Sequence, residues 1–160
     1  MPGERQDYLL RLMEQLRQFV AQALALRQAG KLDEALLALV HAQEKLFVRP
    51  AVEFRHLPLA EQLPMLKLGE SVDMGRQKCV AYAAILEQAG LVYQGKNQDA
   101  IAASAFQLAL HVLLLVASEP GAVTPEVRGS IAALRERLPA EELNAPNREL
   151  LARYEEQSES

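Results

Sequence analysis

The chain of 160 residues has no tryptophan, one cysteine and three histidines, and each scarcity closes off a class of chemistry. A single cysteine cannot form an internal disulfide, so Cys79, set in an apolar helical stretch, reads as a small buried hydrophobe in a reducing compartment. His41, His56 and His111 stand 15 and 55 positions apart on different predicted elements, which is no metal-ligand spacing. Phosphate-binding glycine loops and nucleophile motifs are missing as well. No catalytic, metal-binding or cofactor-binding residue is expected, and no cofactor.

Excess positive charge is also lacking. A net charge of −4 and a pI near 5.4 give no general attraction to nucleic acid or to an anionic membrane. Glu126 and Glu136 interrupt the local basic face that Arg128, Arg135 and Arg137 would otherwise form. The most apolar stretch, LALHVLLLVAS, falls short of the roughly 20 residues that span a bilayer. Glu4, Asp7 and Arg11 interrupt the region where a signal peptide needs an unbroken apolar run. The expectation is a cytoplasmic protein without nucleic-acid or membrane partners.

What is present is helix-forming material. Half the residues are apolar and a quarter charged, with abundant Leu, Ala, Glu, Gln and Arg. A chain of this length buries roughly 70% of its unfolded surface, enough for one core. We therefore expect an all-α fold in one domain over 1–155, with a frayed tail at 156–160. Leu9, Leu12, Leu16, Phe19, Ala23 and Leu26 form one helical stripe, and Leu10, Met13, Val20 and Leu24 a second beside it. So wide an apolar face calls for more than one neighbour, and a homo-oligomer is one way to supply it.

Gly30 ends this helix, Asp33 and Glu34 favour the start of the next, and a hairpin over about 7–48 follows. Pro50, Pro58, Pro64, Gly69 and Gly75 break 49–71 into short helical turns whose apolar residues pack onto the domain. A second hairpin covers about 72–118. Thr124 and Pro125 open the C-terminal helices, about 124–155, and Leu150, Leu151 and Tyr154 dock the last of them.

With Gly30 as the turn, Ala23, Leu26, Ala35, Leu39 and Ala42 resemble the small and large apolar positions of a tetratricopeptide repeat. Phe19 stands where that family favours Trp, and Pro50 comes later than its closing Pro. A second unit, with Gly95 as turn and Ala100 five residues on, echoes the first if two residues are added within its second helix. The two glycines lie 65 residues apart, near two repeats of about 34. DYLLRLMEQL is also similar to the DYLLRLIEQ-like opening of a small uncharacterised bacterial family. These resemblances imply degenerate antiparallel helical hairpins packed as one helical domain, and no activity.

Stacked helix pairs present surfaces that receive peptides or partner helices, so the expected function is a non-enzymatic adaptor with a protein or peptide partner. Leu12 and Leu16 on the first stripe are candidate contact residues. So are Ser104, Gln107 and His111, on or beside a polar line (Asn97, Ser104, His111, Ser118) along an otherwise apolar helix. The alternatives are a chaperone for secreted proteins, and a small-ligand sensor or enzyme with a pocket between helices.

Overall fold

The computed structural model describes residues 2–159, and among them there is no strand. The helices are α1 (Pro2–Gln28), α2 (Leu32–Phe47), α3 (Leu59–Lys67), α4 (Val72–Gly95), α5 (Asp99–Ala117), α6 (Pro125–Arg137) and α7 (Ala145–Glu159). Short 3-10 turns fall at Ala51–Glu53 and Ala140–Glu142. The chain is all-α, as expected. Its first helix starts earlier than Asp7, and its last runs on through Glu159, so 156–159 continue a helix where a frayed tail is expected. Ser160 lies outside the described residues.

Polar caps set several of these boundaries. Ser71 Oγ accepts from Met74 N at 3.2 Å to start α4, and Thr124 Oγ1 accepts from Val127 N at 3.1 Å ahead of Pro125 in α6. Asn144 Oδ1 does the same for Asn147 N at 3.0 Å at the head of α7.

Two turns reverse the chain with the same bonds. Gly30 takes φ +78°, and Lys31 N donates to Leu26 O at 2.8 Å. In the second hairpin it is Asn97 that takes the left-handed conformation, φ 61°, and Gln98 N donates to Tyr93 O at 2.9 Å. Gly95, expected as the turn, is instead the last residue of α4, where a Cβ would lie 3.4 Å from Leu32. That is ordinary contact, so this position does not require glycine. Counting from Asn97 rather than Gly95 sets the hairpins 67 residues apart and aligns buried Ala35, Leu39 and Ala42 with buried Ala102, Phe106 and Ala109. The two added residues are then unnecessary.

Helix α4 packs on α1, α2, α3 and α5, while α6 and α7 cover α5. Gly90 lets α4 and α5 approach closely, since a Cβ there would collide with the Phe106 ring. The connection after α2 is pinned rather than loose. Phe54 is fully buried and stacks on Phe47 at 4.1 Å, and Phe47 meets Tyr82 edge-on at 5.1 Å. Gln62 Nε2 donates to Phe54 O at 2.8 Å while Tyr82 Oη donates to Gln62 Oε1 at 2.7 Å, which pairs the buried polar groups. Burial pushes the Tyr82 phenol up to about 12, against the smaller lowering effects of Arg55 and of the Gln62 bond.

Helix α5 corrects one sequence expectation. Over Asp99–Ala117 it is long and apolar enough to cross a bilayer, with mean hydropathy 2.1. More than half of that stretch is buried inside the protein, as suits a core helix apolar around most of its circumference, and no membrane association follows from it.

Candidate functional site

The fold brings together only part of the expected surface. Leu12 and Leu16 are 4% and 3% exposed, so the first stripe of α1 is core and offers little area to a partner. Periodicity alone does not separate these outcomes, because a core and an interface both require apolar side chains. Ser104 is exposed, but its hydroxyl donates back to Ala100 O at 3.2 Å.

Gln107 and His111 serve the fold. Asn147, fully buried on α7, donates from Nδ2 to Gln107 O at 2.9 Å and to Gln107 Oε1 at 2.8 Å, and its Oδ1 lies 3.0 Å from His111 Nδ1. Gln107 Nε2 donates to Glu142 O at 2.6 Å. The polar line on α5 is thus divided: Gln107 and His111 anchor α7, Asn97 makes a turn, and Ser118 donates to Leu115 O at 2.6 Å. A buried amide that satisfies both ends in this way fixes one register for α7.

Two hollows remain. The first, about 620 Å³, runs between α1, α4 and α6. Met13, Val20 and Leu24 form one wall, Val80, Ala81 and Ala84 another, and Val127 and Ser130 close the third side above Leu16. The second stripe of α1 was the sequence signal for this groove. Its facing walls were not legible, because α4 and α6 meet α1 only after folding.

Charges rim the groove. Arg76 Nε donates to Glu119 Oε2 at 2.5 Å and Lys67 Nζ to Oε1 at 3.3 Å. Partial burial works to raise the Glu119 carboxyl, yet these two cations together hold it below the usual range. Glu87 shifts the other way: burial raises it, and Arg137, with Nε at 3.9 Å, lowers it by less. Arg137 also lies over the Phe106 ring, 5.8 Å from its centroid.

The second hollow, about 810 Å³, lies between the first half of α1 and the end of α2. Tyr8, Leu12 and Phe19 meet His41, Lys45, Val48 and Arg49 across it. His41 stands edge-on to Phe19, 6.5 Å between centroids.

Among the described residues no three His, Cys, Asp or Glu side chains gather as a metal site. Cys79 is buried, and burial pushes its thiol up, away from the reactive thiolate. No protein-family model, curated protein or solved structure matches the chain.

Proposed function

We propose that this protein is a cytoplasmic, non-enzymatic interaction module that receives an apolar helical segment of a partner protein in the groove between α1, α4 and α6. The observation behind this reading is the groove itself: partly exposed aliphatic side chains from α1 and α4, backed by buried Val127 and Leu134 of α6, open to solvent and edged by Arg17, Asp73, Gln77 and Glu126. An amphipathic helix places apolar residues at i, i+3, i+4 and i+7 and so fits an apolar trough with a polar rim. The reading treats the hairpins as degenerate tetratricopeptide-like units, with α1, α4 and α6 in one layer and α2, α5 and α7 in the other. The shared turn geometry 67 residues apart supports that view.

Selection of displayed peptides on the folded protein tests the proposal. Helix-forming peptides with apolar residues at helical spacing are expected, and Leu24→Glu or Ala84→Glu should weaken them at least tenfold with circular dichroism unchanged. Both positions are exposed, so folding should survive. Selected peptides that bind both variants as well as the original protein would overturn the groove reading.

A further inference from the structure

We propose that the hollow between α1 and α2 is a second binding site, separate from the groove, and that it takes an acidic peptide segment carrying a bulky apolar side chain. The electrostatics of its wall carry the inference. Three permanent cations, Arg11, Lys45 and Arg49, line it against one carboxylate, Glu44, in a chain whose net charge is −4. Glu44 is engaged locally, since its Oε2 accepts from Ala51 N at 2.7 Å and so holds the chain as it leaves α2.

The cations are available. Arg11 and Lys45 are exposed and have no ion pair or hydrogen bond among the described residues. Arg49 lies 3.8 Å from Glu53 with both side chains more than half exposed, a contact that solvent screens and an incoming carboxylate can replace. Some of this charge also suits the negative end of α2. That role accounts for Lys45 near the helix end but not for Arg11, which reaches the hollow from α1.

The apolar half of the ligand has its own receptor. Half-buried Phe19 forms a wall and Val48 stands 67% exposed at the lip, and these two supply the accessible apolar surface, since Leu12 beneath them is buried. Val48 is held at φ 56°, ψ 38°, a left-handed conformation that strains a β-branched residue. The fold retains a strained, solvated valine where a glycine would satisfy the helix end at lower cost. A recess bounded by two helices admits a peptide side chain but not a flat anionic bilayer, which the net charge also repels.

The probe is a fluorescein-labelled pentapeptide of two glutamates, one phenylalanine and two glutamates, followed by fluorescence anisotropy against its lysine counterpart. Preference for the acidic peptide is expected, weakening as salt is raised. The double substitution Arg11→Gln with Lys45→Gln should reduce affinity at least tenfold, and Arg153→Gln, paired with Glu149 on α7 away from both hollows, should leave it unchanged. Val48→Gly should raise the melting temperature and still weaken the peptide, which a merely structural valine would not do. Equal binding of acidic and basic peptides, binding indifferent to the double substitution, or binding of anionic vesicles in place of the peptide would each overturn the proposal. Leu24→Glu and Ala84→Glu should bind this pentapeptide normally, so the two sites fail independently.

Discussion

The hairpins α1–α2 and α4–α5 reverse direction through equivalent hydrogen bonds 67 residues apart, yet they fill the space between their helices differently. Where the first holds buried Ala23 and Leu39, the second holds Gly90 and Phe106. The second hairpin removes a methyl group from one helix and accommodates a ring on the other. Equivalent turns thus tolerate different interiors so long as volume is exchanged between the partners. The settings also differ: Tyr82 on α4 is buried, whereas its counterpart on α1, Gln15, is exposed. α4 has neighbours on several sides, and α1 keeps the half-open walls of both hollows.

The largest expected effect breaks that exchange. Gly90→Ala drives a methyl group into the Phe106 ring and should cost about 1–3 kcal/mol in urea unfolding, despite alanine's better helix propensity. Adding Phe106→Leu restores the first hairpin's Ala and Leu pairing and should recover part of the loss. Wild-type stability in the single variant would mean that the two interiors are not set by this contact.

Next comes the buried tyrosine. Its folded pKa, near 12, lies above the ordinary value of about 10, so the neutral phenol stabilises the fold fully below pH 10. As pH rises toward 12, that contribution, on the order of 2 kcal/mol, should disappear. Chemical unfolding across this range should show a smaller loss in Tyr82→Phe, which is less stable at neutral pH because Gln62 loses its donor. An identical pH slope in both proteins would remove Tyr82 as the cause.

The turns should respond least. Gly30→Ala places a Cβ at φ +78° and should cost about 1–2 kcal/mol, while Asn97→Gly should gain less than about 1 kcal/mol by relieving the milder strain of asparagine. Opposite signs in thermal melts would sharpen the equivalence of Gly30 with Asn97, and equal effects at Gly95 would break it.

These positions show how far a one-dimensional reading reaches. Gly30, Thr124 and Pro125 marked their boundaries because capping depends on residues adjacent in the chain. Gly95 misled, because glycine and asparagine can both take the left-handed conformation and both stand within three residues of each other there. Gln107 and His111 stood out as polar exceptions on an apolar helix, but their partner, Asn147, arrives 36 to 40 residues later. Leu12 and Leu16 were placed on an apolar face that burial against neighbouring helices then closed.

The amino-acid sequence by itself determined the helices, the breaks between them and the apolar stripes, since propensity, capping and periodicity act over a few residues. Only the tertiary structure decided which stripe became core, which became groove, and where cations from α1 and α2 face one another. Those outcomes depend on helices distant in the chain competing for the same surface, and the balance is struck only when they pack.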